Sequence, residues 1–349
     1  MKGFVFRLAA FGAVFVAAGL LLKSALPYFW GSPWWKEKRA QMLRCDPAPD
    51  VVFFGSSRMH WQLAPAIFDS VLAAHHVPVV SYNIGVPGVA PPEAYHLLNG
   101  ALAEGDLRPG TTVIMELAEP VPVEPHLLRS TRASYHMTPG TLLFMHHYFL
   151  EARNKRAYPR YMLNEAFVLS RKLFHVGQIK TMLGHREKVV TESKGINVRG
   201  FTGMESEQWL NRDAELGRSL GERHDELLRD TMLLSRQREL VRRNRAQPVR
   251  EPVSSWHAAI AEIQAHCASK GVRLIWLLPP KTLSTCEWTM FNSISGNDRI
   301  DMSDPDRFPE AYALRYRYDR GHLNSAGARR LSTEVALEYL RILGEPVNH

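Results

Sequence analysis

Short apolar runs alternate with helical patterns along the chain after about residue 50. The run from Val51 to Phe54 is continuously apolar and ends at Gly55, which is typical of a buried strand in a parallel sheet. Strands are predicted at residues 51–54, 77–84 and 112–117, with helices between them from about 65 to 76 and from 92 to 104. This alternation predicts an α/β fold, a three-layer doubly wound parallel sheet that binds ligands at the carboxyl ends of its strands.

The alternation stops in the middle of the chain and then resumes. Between about residues 120 and 247 no segment has a convincing strand pattern, and helical composition dominates. A helix at 255–270, a strand at 272–278 and a strong helix at 325–343 follow. We therefore predict one α/β domain of residues 51–119 and 251–349, interrupted by a long, mainly helical insertion or cap at 120–250.

The N-terminus carries a predicted membrane anchor over residues 1–30, followed by a linker at 31–50. Residues 8–22 are apolar without a polar face, which argues against a buried soluble helix. Aromatic residues that suit a membrane interface follow, namely Tyr28, Phe29, Trp30, Trp34 and Trp35. A cleaved signal peptide is the alternative, but the end of the apolar run lacks a small-x-small cleavage site, which favours an uncleaved anchor.

Basic residues flank the predicted anchor on both sides, so the positive-inside rule does not fix its orientation. Lys2 and Arg7 precede the apolar run, whereas Lys36, Lys38 and Arg39 follow it. A single anchor before a large domain is most simply inserted with that domain outside the cytoplasm. We therefore predict a single-pass protein of the inner or cytoplasmic membrane, with its folded domain on the periplasmic or extracytoplasmic side.

Charge and cysteine content exclude several classes of protein. The 349 residues include 43 Lys and Arg against 35 Asp and Glu, a formal net charge of +8. The basic residues are scattered without an aromatic stacking pattern, so no nucleic-acid partner is predicted. Cys45, Cys267 and Cys286 have no C-x-x-C spacing, which argues against a zinc ribbon or a thioredoxin-type site. Buried thiols are expected, with a Cys267–Cys286 disulfide left open for an oxidising compartment.

Two short segments combine the residues of a serine nucleophile site. Gly55-Ser56-Ser57-Arg58 directly follows the first predicted strand, where a tight turn presents a serine hydroxyl at a helix start. Asp319 precedes His322 by three positions just before the terminal helix, so the carboxylate can bond one imidazole nitrogen and leave the other facing a serine. Helix capping by the serines and a surface histidine are the alternatives.

Taken together, these segments resemble the SGNH/GDSL hydrolase superfamily over most of the chain outside residues 120–250. The resemblance implies Ser57 as nucleophile, His322 as general base and Asp319 as the residue that orients it, while Ser56 replaces the family's usual aspartate. The segment from Asn83 to Gly88 matches the family's Asn-x-x-x-x-Gly pattern, which implies that Gly88 is an oxyanion donor.

One family block differs. Where the family has a turn whose asparagine completes the oxyanion hole, this chain reads Glu116-Leu117-Ala118-Glu119-Pro120, without asparagine. Loss of one oxyanion donor typically costs about 3 to 4 kcal/mol in the transition state. Arg58, Asn83 and a partner protein are the candidates to replace it.

The anchor, the Gly-Ser-Ser-Arg turn and the missing asparagine resemble one branch of the superfamily. Its members are membrane-anchored proteins that modify cell-surface polymers, such as the D-alanine transfer protein of teichoic acids and exopolysaccharide O-acetylation proteins. The resemblance implies a serine O-acyltransferase that acts without a cofactor on a cell-envelope or extracellular polysaccharide, beside a membrane-bound O-acyltransferase. Ser57 would accept the acyl group and pass it to a polymer hydroxyl. A carbohydrate or lipid esterase and a non-catalytic binding or scaffold subunit remain alternatives.

Other polar residues suggest weaker alternatives. The pairs His75-His76 and His146-His147 lack the accompanying ligands of a known metal motif, so no metal site is predicted. Glu116 and Glu119 lie near one strand end and could serve as a glycosidase pair, but a sheet-end contact and a solvated residue are the favoured interpretation.

Overall fold

The computed structural model describes residues 2–25, 31–152, 157–174 and 199–345. Its centre is a five-stranded, all-parallel sheet in the order β2-β1-β3-β4-β5. The strands are β1 Val51–Phe54, β2 Ser81–Asn83, β3 Thr112–Glu116, β4 Arg273–Leu278 and β5 Arg299–Asp301. The predicted α/β class with a parallel sheet is confirmed.

The described residues contain fourteen α-helices. They are α1 Lys2–Ala25, α2 Pro33–Met42, α3 Ser57–Gln62, α4 Pro65–Ala74, α5 Glu93–Ala103, α6 Thr131–His136, α7 Pro139–Glu151, α8 Tyr158–Phe174, α9 Met204–Leu210, α10 Glu215–Arg229, α11 Met232–Arg245, α12 Ser254–Ser269, α13 Thr285–Ser293 and α14 Ser325–Leu343.

The direction in which successive strands are added to the sheet reverses at β1. The chain passes from β1 to β2 on one side and then to β3 on the other, with Val51 paired in register to Ser81 and to Thr112. In a doubly wound sheet the loops that leave the strands at such a point diverge, which opens a crevice at the carboxyl edge. The loops after β1, β2 and β3 therefore frame the expected site.

Both faces of the central strands are buried, which explains their continuous apolar sequence. Phe53 of β1 and Ile114 of β3 are fully buried in one apolar cluster with Phe68 of α4 and Val335 of α14. The rings of Phe53 and Phe68 meet edge to face at 5.0 Å. Helix α4, which connects β1 to β2, is thus packed against α14 in the same apolar cluster.

The chain divides into two compact units. One consists of Met1–Pro33 with Val121–Val189, and the other of Trp34–Pro120 with Val190–His349. Among the described residues between 120 and 250 every regular element is helical: α6 to α8 belong to the first unit and α9 to α11 to the unit that holds the sheet.

The segment after the predicted anchor differs from its sequence prediction. Residues 31–50, predicted as a linker, contain α2, and Trp34 and Trp35 are buried instead of lying at a membrane interface. Trp35 packs edge to face on Phe54 at 5.5 Å, and Trp34 packs on His60 at 4.8 Å. The remaining predicted interface aromatics, Tyr28, Phe29 and Trp30, lie outside the described residues.

Helix α1 is the one described helix that is long and apolar enough to cross a membrane. Residues Lys2–Gly19 have a mean hydropathy of 1.5, and only 6% of them are buried. An N-terminal signal sequence has the same length and composition, so this helix is compatible with both alternatives drawn from the sequence.

Candidate active site

The structure brings Ser57, His322 and Asp319 into one hydrogen-bonded row. Ser57 opens α3 directly after β1, and its Oγ lies 2.8 Å from Nε2 of His322. Nδ1 of His322 lies 2.9 Å from Oδ2 and 3.0 Å from Oδ1 of Asp319. Because Nδ1–H donates to the carboxylate, Nε2 carries the lone pair that can accept the serine proton.

The Asp319 carboxylate is held by its own loop. Its Oδ1 accepts the backbone N–H of Gly321 at 2.6 Å and of His322 at 2.7 Å. The backbone N–H of Tyr318 donates to the carbonyl of His322 at 3.1 Å, which closes the loop just before α14. The short Asp-x-x-His spacing thus fixes the carboxylate and the imidazole relative to each other before any contact with Ser57.

Burial and hydrogen bonding set the protonation of this pair at neutral pH. Burial lowers the pKa of His322 below its ordinary value and outweighs the opposing effect of Asp319, while the charge of Arg58 lowers it further. Burial opposes ionisation of Asp319, but hydrogen bonds from His322 and from backbone N–H groups hold its pKa below the ordinary value. A neutral imidazole facing Ser57 and an ionised carboxylate behind it are therefore the stable states.

Glu116, at the end of β3, ties the serine turn to the sheet. Its Oε2 accepts the backbone N–H of Ser56 at 2.9 Å, and its Oε1 lies 3.2 Å from Nε of Arg58. Gly55 has φ of 151°, and a Cβ there would lie 2.7 Å from Cβ of Glu116, so a side chain would not fit. Glu116 is thus a buried contact at the end of β3 that holds the turn of Ser56 and Arg58.

The loop after β2 is hydrogen-bonded to the same turn. The N–H of Ile84 donates to the carbonyl of Phe53, and the N–H of Val86 donates to that of Gly55, both at 2.9 Å. Gly88, two residues further, has φ of 71°. No intramolecular hydrogen bond is formed by the backbone N–H of Ser57 or Gly88 within the described part of the chain, so both are available as donors.

Asn83 uses its amide to hold these loops together. Its Nδ2 donates to the carbonyls of Met59 at 2.6 Å and Leu63 at 2.7 Å, and its Oδ1 accepts the N–H of Gly85 at 2.9 Å. The side chain is fully buried. These bonds commit the amide to backbone groups of α3 and of the loop after β2, which argues against Asn83 as the replacement oxyanion donor.

Arg58 is the remaining protein candidate for that role. Its side chain is 25% exposed, and the approach of Glu116 is to Nε and not to the two terminal guanidinium nitrogens. No hydrogen bond from those nitrogens is formed among the described residues. Arg58 directly follows Ser57, whose Oγ contacts the imidazole of His322.

A buried cluster of ionisable side chains, which no sequence motif indicates, supports the loop after β2. Lys38 of α2 donates through Nζ to Nδ1 of His60 at 2.6 Å and to the carbonyls of Gly85 at 2.7 Å and Asn83 at 3.2 Å. Nε2 of His60 lies 3.9 Å from Oε2 of Glu207. Burial lowers the pKa values of Lys38 and His60 and raises that of Glu207. Lys38 and Glu207 lie far from the motifs in sequence, and no local pattern identifies them.

Helices α9 and α10 form hydrogen bonds with the loop that contains Asp319 and His322. Nδ1 of His224 lies 2.7 Å from the carbonyl of Tyr318, and the Tyr318 hydroxyl donates to Oε1 of Gln208 at 2.6 Å. Glu205 accepts the backbone N–H of Ser325 at 2.9 Å at the start of α14. The segment after residue 199 therefore helps to hold the loop that carries His322.

Residues behind the weaker sequence alternatives have other contacts in the structure. No group of three or more His, Cys, Asp and Glu side chains could hold a metal ion in the described ranges. Nδ1 of His146 lies instead 2.6 Å from the hydroxyl of Tyr158. Glu119 accepts the hydroxyl of Ser284 at 2.9 Å, away from the serine turn. All three cysteines are free thiols, so Cys267 and Cys286 form no disulfide.

Comparison with known proteins gives no family for this chain. No protein-family model matches it, and no curated protein is similar to it in sequence.

Proposed function

We propose that this protein is a membrane-anchored serine O-acyltransferase of SGNH type that modifies a cell-envelope or extracellular polysaccharide. The observation that carries the proposal is the 2.8 Å contact between Oγ of Ser57 and Nε2 of His322, with Asp319 bonded to the opposite ring nitrogen. This arrangement activates a hydroxyl as a nucleophile and is recognised by geometry and not by sequence position.

In the first half-reaction Ser57 becomes acylated. Nε2 of His322 takes the proton of Ser57 as Oγ attacks the carbonyl carbon of the donor. The carbonyl electron pair moves to oxygen and then returns as the bond to the leaving group breaks, and His322 gives its proton to that group. Asp319 stabilises the imidazolium that exists between these two transfers.

The developing oxyanion needs donors that replace the missing asparagine. The unbonded N–H groups of Ser57 and Gly88 are two of them in this proposal. Arg58 supplies the third contact through a terminal guanidinium nitrogen, because Glu116 orients its other edge. A charged donor in a water-poor site stabilises negative charge more strongly than an amide does.

In the second half-reaction a hydroxyl accepts the acyl group. His322 takes the proton of the incoming hydroxyl, the new ester bond forms, and Ser57 leaves with the proton returned from His322. A sugar hydroxyl makes the protein a transferase, and water makes it an esterase. The apolar α1 supports the transferase, since it would keep the site beside a membrane-bound O-acyltransferase that delivers acyl groups.

The test uses the full chain in detergent micelles with p-nitrophenyl acetate as donor and a panel of oligosaccharides as acceptors. We expect p-nitrophenolate release that Ser57→Ala abolishes, together with mass-detected acetylation of at least one oligosaccharide. Release with water as the sole acceptor across the panel would make the protein an esterase. Equal release by wild type and Ser57→Ala would overturn the proposed chemistry.

A further inference from the structure

Helix α8 buries two charged side chains beside Val168, while several of its large apolar side chains are exposed. Glu165 and Arg171 are 1% and 5% exposed, whereas Leu163 is 71% and Phe167 is 43% exposed. Helices at the surface of a water-soluble domain have the opposite distribution, with apolar residues turned inward. Leu163 and Phe167 would therefore be better accommodated in an apolar environment than in water.

The buried polar side chains of α8 satisfy backbone groups of the segment beneath them. Oε1 of Glu165 accepts the N–H of Val123, and a terminal guanidinium nitrogen of Arg171 donates to the carbonyl of Leu128, both at 2.8 Å. Burial raises the pKa of Glu165 to about 7. Because the backbone groups of Val123 and Leu128 need these partners, Glu165 and Arg171 are held facing inward.

The exposed side chains form one continuous face. Leu163, Phe167, Leu173 and Phe174, named here the α8 apolar face, lie within an arc of about 120° and extend over about 16 Å of helix axis. Ser170 lies in the same arc, but its hydroxyl donates to the carbonyl of Phe167 at 2.8 Å. A serine that bonds its own helix in this way tolerates an apolar environment.

This face meets the candidate membrane span. The ring of Phe174 lies 6.2 Å from that of Phe15 in α1, and a Cβ at Gly19 would lie 3.6 Å from the carbonyl oxygen of Phe174. Small residues permit such close approach between helices in membranes. Gly19 lies near the end of the apolar run of α1, four residues before Lys23, so α8 meets α1 close to one end of that run.

We propose that the α8 apolar face lies in the boundary between headgroups and acyl chains of the membrane that α1 enters. The occupant of this face is lipid, because the face continues the exposed apolar surface of α1 and consists of Leu and Phe side chains without hydrogen-bonding groups for a protein partner. Arg160, exposed at the other end of α8, is placed to extend toward headgroup phosphates. Helix α8 is then a second, interfacial attachment that holds its unit against the bilayer, independently of the proposed acyl transfer.

Photo-crosslinking of the full chain tests this placement. The chain is reconstituted in vesicles of phosphatidylethanolamine and phosphatidylglycerol, with the photoreactive residue p-benzoylphenylalanine replacing Leu163 or Phe167 in turn. The same replacement of Phe11 in α1 is the positive control. Replacement of Leu228, 53% exposed on α10, is the matched control on an exposed helical leucine. Intact-mass spectrometry then counts phospholipid adducts, and circular dichroism checks that each variant is folded.

We expect phospholipid adducts at positions 163 and 167 at about ten times the yield at 228 or more. Yields at 163 and 167 equal to that at 228, while position 11 reacts with lipid, would overturn the proposal. In native membranes, a protein adduct in place of the lipid adduct at these two positions would also overturn it, since the face would then belong to a protein partner.

Discussion

Nε2 of His322 lies 2.8 Å from Oγ of Ser57, although 265 positions separate the two residues in the chain. Ser57 starts the helix after β1, and His322 precedes α14, which packs on α4 in the same apolar cluster as β1. The edge of the ring of Trp61 also approaches His322 at 5.1 Å. The contact is therefore fixed by the core of the sheet and not by a mobile terminal segment.

Replacing Asp319→Asn should leave the contact to Ser57 in place but impair its function. The N–H groups of Gly321 and His322 hold the amide oxygen at the Oδ1 position, so the amide nitrogen replaces Oδ2 and donates to Nδ1. The imidazole proton then moves to Nε2, which can no longer accept the serine proton. We expect the rate of p-nitrophenyl acetate turnover to fall by about 10³ to 10⁴ in a variant that circular dichroism shows to be folded. The matched control is Asp225→Asn on α10, which should retain the full rate; an equal loss in both variants would contradict the assignment.

Arg58→Gln should change the pH dependence of turnover as well as its rate. His322 must be neutral to accept the serine proton, and burial together with the charge of Arg58 lowers its pKa below 6.5. Removing a positive charge favours protonated imidazole, so the acid limb of the pH–rate profile should move to higher pH. Arg229→Gln, on an exposed helix end, is the control and should leave the limb in place. A shift to lower pH in Arg58→Gln would be incompatible with this electrostatic relation.

Glu116→Gln should destabilise the serine turn. The amide oxygen can still accept the N–H of Ser56, but the charge opposite Arg58 is lost in a buried place. We expect the free energy of unfolding to fall by about 1 to 2 kcal/mol, discounted because Arg58 is partly exposed. Glu119→Gln, which accepts a serine hydroxyl elsewhere, should change it by less than about 0.5 kcal/mol. Equal effects measured by urea unfolding would show that Glu116 has no special role at the turn.

Lys38→Met should loosen the loop that carries Gly88. Methionine matches the length of the lysine stem but leaves the carbonyls of Gly85 and Asn83 without their donor. We expect a loss of about 2 to 4 kcal/mol in the free energy of unfolding. For the folded Lys38→Met protein, the fold-decrease in kcat should exceed the fold-increase in KM. Lys36→Met, exposed on the same helix, is the control for both measurements, and a Lys38→Met variant as stable and active as this control would exclude the support role.

The central strands and the serine and histidine segments are predictable because each is encoded locally. β3 begins at Thr112 as predicted, and α14 has its predicted bounds, since continuous apolar runs and capped amphipathic helices carry their own signals. β5 was not predicted, because Arg299–Asp301 contains a single apolar residue and gains its pairing only from β4. Neighbouring strands supply that information.

The support of the candidate site is not readable from the sequence for the same reason. The sequence predicts Lys38 as a surface residue of a linker. In the structure its amine donates to carbonyl groups that lie 45 and 47 positions later in the chain. Glu116 reads as a strand-end carboxylate, and its partner atoms at Ser56 and Arg58 belong to a different strand end. Only the parallel pairing of β1 with β3 brings these groups together.

The most direct test of the serine nucleophile is intact-mass spectrometry of the full chain after reaction with a fluorophosphonate, followed by peptide mapping. One adduct should form at Ser57, should be absent in Ser57→Ala and should form far more slowly in His322→Gln. Ser56→Ala is the matched control and should label at a rate close to that of wild type. An adduct on another residue, or a wild-type chain that remains unlabelled both in detergent and in native membranes, would contradict the account.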